Sequence, residues 1–152
     1  MSFRVAFYKV NHTGIQGIYS RAVRWWTKTI YSHCELIFSN GQAASASFMD
    51  GGVRFKQIDF EPEKWDFIDL PDYLEPAARA WFVKYQGAKY DLLGNLHFVV
   101  GAVGDDDSKW FCSEAVAAAL GIDKAYRYDP GDLYPILKRL SELTLPPVQQ
   151  AA

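Results

Sequence analysis

Alternation of apolar and polar residues divides the first half of the chain into short strands. Phe3 to Val10 reads as one strand, and a second run opens at His33 and meets the turn signal Asn40-Gly41, from which Gln42 to Phe48 returns antiparallel. Val53 to Ile58 and Trp65 to Leu70 alternate well enough to add two more. Elsewhere the spacing is helical. Between Gly14 and Ile30 the residues Ile15, Ile18, Tyr19, Ala22, Val23 and Trp26 recur at helical intervals, with Arg21, Arg24 and Lys28 between them. Leu74-Glu75-Pro76 opens a helix with proline in its first turn, running to Gly87. Further helices are predicted from Leu92 to Val103, from Cys112 to Leu120, and after Pro130-Gly131-Asp132 to about Leu143. Hairpin-linked strands and separate helices imply an α+β fold, a small antiparallel sheet packed on helices. Residues 1–145 are expected to form a single domain and 146–152, from Pro146-Pro147 onward, a flexible tail.

Length and charge narrow the function. A chain of 152 residues buries about two-thirds of its unfolded surface, enough for one core without disulfide staples. A net charge of −2 with 16% aromatic residues argues against a nucleic-acid partner and against a polybasic membrane patch. The basic, Trp-rich segment 14–30 has the composition to touch an anionic polymer or membrane, but a core helix with a solvated face is the commoner meaning of this pattern. Met1-Ser2-Phe3-Arg4 leads straight into a strand without a signal-peptide pattern, and the longest apolar run, Leu92 to Val103, contains Asn95 and His97 and is too short to span a bilayer. A soluble product with no stable membrane insertion is expected. Asp105, Asp106 and Asp107 lack the Gly and distal Glu of a calcium loop, so they read as a solvated turn; no metal or cofactor is expected.

The residue with the most chemical information is Cys112. It follows the loop-forming run Gly104 to Lys109 and opens the Ala-rich segment that Gly121 can cap, so it falls in the first turn of a helix, where the macrodipole favours a thiolate. Glu114 in the same turn opposes that effect, so an imidazole partner is needed. His33, at the start of a strand, is the best base by elimination: His97 lies in an apolar helical run and His12 in the loop Asn11-His12-Thr13-Gly14. A strand-start histidine facing a helix-start cysteine is the arrangement of papain-like thiol chemistry. The competing fate of Cys112 is that of a buried small apolar residue. Cys34, pointing to the face opposite His33, is expected in the core.

Gly87-Ala88-Lys89-Tyr90-Asp91-Leu92-Leu93-Gly94 followed by Phe111-Cys112-Ser113-Glu114 resembles the Gly-x-x-Tyr-Asp…Cys-Ser block of NlpC/P60 cysteine peptidases. Because the histidine segment precedes the cysteine helix, the order is similar to the circularly permuted branch, the YiiX-like and lecithin-retinol-acyltransferase-like proteins. The resemblance covers roughly residues 30 to 121 and implies a papain-like fold with permuted NlpC/P60 topology. It also implies Cys112 as nucleophile, His33 as base and Tyr90 as a residue lining the substrate cleft. Tyr90 otherwise packs between helices, and Asp91 is best read as a helix N-cap. Glu114 is a second substrate-binding candidate, through a substrate amine, unless it serves only the dipole of its helix.

The group that orients the imidazole is left open between two residues. The resemblance implies a polar residue on the strand after the histidine, where this chain has Ser45 and Ser47. A three-residue Ser39-Asn40-Gly41 loop with Gly41 left-handed sets Ser45 opposite Glu35 and Ser47 opposite His33; a two-residue loop turns both serines away. Glu35 shares the His33 face in either register, and a carboxylate holds an imidazolium better than a hydroxyl does. Ser47 is slightly preferred because relatives take this group from the second hairpin strand, leaving Glu35 as a rim contact. The family likeness implies hydrolysis or transfer at an amide or thioester carbonyl. The Gly51-Gly52-Val53-Arg54 segment looks like one from tailed-bacteriophage proteins, which points to a peptidoglycan peptide as substrate, other virion proteins as partners, and the host cytoplasm or the virion as location. A lipid acyltransferase or amidase of the same fold, and a non-catalytic virion or host-interaction protein, are the alternatives.

Overall fold

The structure, a computed structural model, describes residues 2–10, 29–90 and 109–145. Strands β1 (Arg4–Tyr8), β2 (His33–Ile37), β3 (Ala43–Ser47), β4 (Gly52–Lys56) and β5 (Trp65–Asp69) form an antiparallel sheet in the spatial order β5-β1-β2-β3-β4. Two short strands extend it beyond β4: β6 (Lys89–Tyr90), antiparallel to β4, and β7 (Lys109–Trp110), parallel to β6. Among the described residues three helices, α1 (Glu75–Tyr85), α2 (Cys112–Ala119) and α3 (Pro130–Thr144), pack against the sheet. The predicted α+β class is observed, with strand and helix ends within a few residues of those read from the pattern. The strands β6 and β7 were not expected, because two-residue segments carry no periodicity.

The β2–β3 hairpin has the longer loop. Phe38 N–H donates to the Gln42 carbonyl at 2.9 Å and Gly41 N–H to the Phe38 carbonyl at 2.8 Å, with Gly41 left-handed at φ 84°. Leu36 therefore faces Ala44 and Ile37 faces Ala43, the register that turns Ser45 and Ser47 to the Glu35 and His33 side. On the opposite face Val5, Phe7, Cys34, Leu36, Ala44, Ala46, Val53 and Ile68 join residues of all three helices in one apolar cluster. Cys34 is fully buried within it, as its strand position predicts.

Gly52 adopts φ 145°, and a Cβ there would stand 1.9 Å from the Ala88 carbonyl oxygen. The close approach lets Val53 N–H reach that carbonyl at 2.8 Å, joining β4 to the segment entering β6. The helix expected over 14–30 lies outside the described residues except for Thr29 and Ile30, which form a bend. His12, Asp91, the helix expected over 92–103 with His97, the acidic turn at 105–107 and the tail at 146–152 also lie outside them. No helix among the described residues is long and apolar enough to cross a membrane.

Candidate active site

Cys112 is the first residue of α2, after Phe111 in extended conformation (φ −108°, ψ 168°). The contacts of α2 with β2 and β3 set its N-terminus over the start of β2. His33 and Cys34, the first two residues of β2, are the groups that act on the Cys112 thiol. Cys112 is 5% exposed. The Cys34 hydrogen bond and the His33 charge together outweigh burial and hold the Cys112 thiol well below its usual range, while burial and the same contact push the Cys34 thiol up. Of the two thiols, Cys112 is the one whose ionisation the surroundings favour.

The imidazole has a partner on each side. Nε2 lies 2.7 Å from Glu35 Oε1, so Nδ1 is the nitrogen left for sulfur. Glu35 is 1% exposed, and burial alone would raise its pKa. Hydrogen bonds from His33 and Arg54 reverse that and keep it ionised. An ionised carboxylate only accepts, so Nε2–H is the donor. Burial would lower the His33 pKa, but the Cys112 thiolate and the Glu35 carboxylate overcome it and push it up to about 10. Both shifts run in the direction that favours a thiolate at Cys112 and an imidazolium at His33. The ring also meets Trp65 edge-on at 6.3 Å between centroids, and Trp65 is backed by Tyr8 and Phe60 at 4.9 and 5.0 Å.

The ring is held by Glu35, which is buried rather than a rim contact; the expectation of Ser47 as its partner is not met. The register is the one that aims Ser47 at His33, yet the β2–β3 ladder is paired only at Leu36–Ala44 and Ile37–Ala43, short of the His33 end. A carboxylate two residues along the same strand reaches the ring across no such gap. Ser45 Oγ donates to the Cys34 carbonyl at 2.7 Å and so fixes the strand beneath the thiols. Glu114 turns back on its own helix, accepting from Phe111 N–H at 3.4 Å, and is buried. That contact closes the start of the helix. The Tyr90 backbone forms β6; its side chain lies outside the described residues.

Arg54 is the site residue that sequence reading missed. It donates Nη1–H to Glu35 Oε2 at 2.7 Å and Nη2–H to Oε1 at 2.6 Å, a two-pronged clamp, while its Nε–H reaches Asp50 Oδ2 at 2.8 Å. Lys56 Nζ closes the chain on Asp50 Oδ1 at 2.8 Å. Alternation along β4 does place Arg54 and Lys56 on one face, but nothing local signals that Arg54 crosses β3 to reach β2. Asp129, the N-cap of α3, lies close enough for the Cys112 charge to raise its carboxyl, though burial is the larger cause. Among the described residues no group of three or more His, Cys, Asp or Glu could hold a metal ion. No sequence model of a known protein family matches the chain, and no curated protein shows significant similarity to it.

Proposed function

We propose that this chain is a cysteine-dependent amide hydrolase with a permuted NlpC/P60-like, papain-like topology, acting on peptidoglycan peptides. The carrying observation is a helix-start thiol whose charge is stabilised by a neighbouring imidazole, one nitrogen of which is held by a buried carboxylate. In this reading the Cys112 thiolate attacks the amide carbonyl. The first-turn N–H groups of α2, which lack intrahelical partners, face the developing oxyanion. His33 Nδ1–H then protonates the leaving amine as the C–N bond breaks, giving a thioester. Neutral His33 next takes a proton from a water that attacks the thioester; the C–S bond breaks, expelling the Cys112 thiolate beside the restored imidazolium, and Glu35 holds the ring throughout. Neither Tyr90 nor Glu114 is needed for these steps.

The observation favouring the lipid-acting alternative is the β3–β4 turn. Phe48 and Met49, 48% and 63% exposed, follow Ser47 at the His33 end of the sheet, where an acyl chain would meet them. The test is incubation of purified peptidoglycan with the wild type and Cys112→Ala, reading released peptides by mass spectrometry. New termini that carry one added water, formed by the wild type alone, are expected. Acyl release from mixed lipid vesicles without peptide release would move the substrate to lipid. Identical product profiles for both proteins on both substrates would overturn the hydrolase reading.

A further inference from the structure

We propose that Arg54 is a positioning residue for the Cys112–His33 pair. Acting through Glu35, it fixes the carboxylate against the ring and balances the charge that would otherwise repel the thiolate. This rests on the reading of Cys112 as nucleophile and His33 as base.

Glu35 is buried two residues from His33 on β2, and both its oxygens are taken by Arg54 at 2.6 and 2.7 Å, one of them shared with His33 Nε2 at 2.7 Å. Arg54 belongs to β4, with β3 between, so its side chain must cross that strand. It faces Ser45 directly across the β3–β4 ladder. Ser45 leaves the path open because it is small and its hydroxyl is turned to the Cys34 carbonyl. Asp50 then takes the remaining Nε–H of Arg54, and Lys56 takes Asp50. Charges thus alternate from Cys112 through His33, Glu35, Arg54 and Asp50 to Lys56. An orienting carboxylate has a drawback in a buried site, because it holds the imidazolium but also adds an anion near the thiolate. The Arg54 fork removes that drawback without releasing the carboxylate, and it does so with two fixed hydrogen bonds that an ammonium group cannot make. The Cys34 thiol and the Asp129 carboxylate also interact electrostatically with Cys112; the hydrogen bonds of Arg54 go to Glu35 and Asp50 instead.

Losing a cation from this chain raises the pKa of each neighbour, and the imidazolium at 2.7 Å keeps Glu35 ionised in its absence. In Arg54→Met the pH midpoint of iodoacetamide labelling at Cys112 should rise by about one unit or more, and the NMR-measured pKa of His33 should rise with it. Arg54→Lys should recover only part of the shift. A residue that merely stabilised the sheet would lower the melting temperature and leave both midpoints in place. Should Arg54→Met not fold, Arg54→Gln keeps a donor to Glu35 without the charge and is expected to shift the same way. Either variant, folded and with wild-type midpoints, overturns the proposal. A wild-type midpoint already at the free-thiol value of about 8.5 would instead overturn the reading of Cys112 and His33 on which it rests.

Discussion

Replacing Glu35 by glutamine removes one charge and forces one bad contact. Both carboxylate oxygens accept hydrogen bonds, from His33 Nε2 and from two Arg54 nitrogens. An amide has a single oxygen, so its NH₂ must point at a donor. The charge centres of ring and carboxylate stand about 4 Å apart, giving an attraction of about 4 kcal/mol at an effective dielectric near 20. Desolvation offsets part of that, and a hydrogen bond to a charged group retains about 1.5 to 3 kcal/mol. The His33 pKa, held at about 10, should therefore fall by about one to two units in Glu35→Gln. Breaking a buried, fully paired charge should cost about 3 to 5 kcal/mol of stability, read as a lower urea midpoint. Turnover of a cleaved peptide should fall by about 10²- to 10⁴-fold, on the scale of losing a triad acid. Ser47→Ala should change turnover by no more than about twofold. The assays are NMR titration of the His33 ring, urea unfolding, and peptide release at fixed pH. An unchanged ring pKa in folded Glu35→Gln, or a larger loss from Ser47→Ala, would refute the assignment of Glu35.

Three other outcomes follow from particular contacts. Cys34→Ala removes the thiol that contributes most to lowering the Cys112 pKa, so the Cys112 labelling midpoint should rise, by about one unit or less because a thiol is a weak donor; native Cys34 itself should resist labelling. Burial pushes the Asp50 carboxyl up, but Lys56 and Arg54 outweigh it and hold it at about 2, below the ordinary 3.8. A depressed carboxyl stabilises the fold above its unfolded pKa and loses that contribution as pH falls through its folded pKa. Wild type should therefore exceed Asp50→Asn by about 1 to 2 kcal/mol above about pH 5, with the gap closing toward about pH 2 in urea titrations. Gly52→Ala would drive a Cβ into the Ala88 carbonyl and should cost at least about 2 kcal/mol by chemical denaturation, whereas Gly87→Ala, which meets nothing within 4 Å, should show only the smaller cost of its positive φ.

The elements legible in the sequence were those with sustained periodicity or a strong local signal. The β2–β3 hairpin is the clearest case, since Asn40-Gly41 marks the turn and a left-handed Gly41 selects the longer loop. The juxtaposition of His33 and Cys112 could be anticipated because the start of a strand and the start of a helix are both ends of elements, where side chains from distant segments meet. Contacts that depend on how far a ladder stays paired were not legible. Ser47 and Glu35 both sit on the His33 face, and only the early end of the β2–β3 pairing at Leu36–Ala44 separates them. Arg54 was hidden for a similar reason. Its reach to Glu35 crosses an intervening strand, and the strand order β2-β3-β4 together with a small residue at 45 is needed to see it. Cys34 was rightly placed in the core, but its contact with Cys112 depends on where α2 lies over β2, which strand alternation does not fix.

The proposed chemistry needs a thiolate at Cys112 paired with an imidazolium at His33, and the direct measurement is the ultraviolet absorbance of the thiolate as a function of pH, taken as the difference between wild type and Cys112→Ser. The predicted midpoint lies well below the free-thiol value of about 8.5, returning upward in His33→Ala. A midpoint at or above about 8.5 in the wild type, unmoved by His33→Ala, would contradict the ion pair and with it the proposed chemistry.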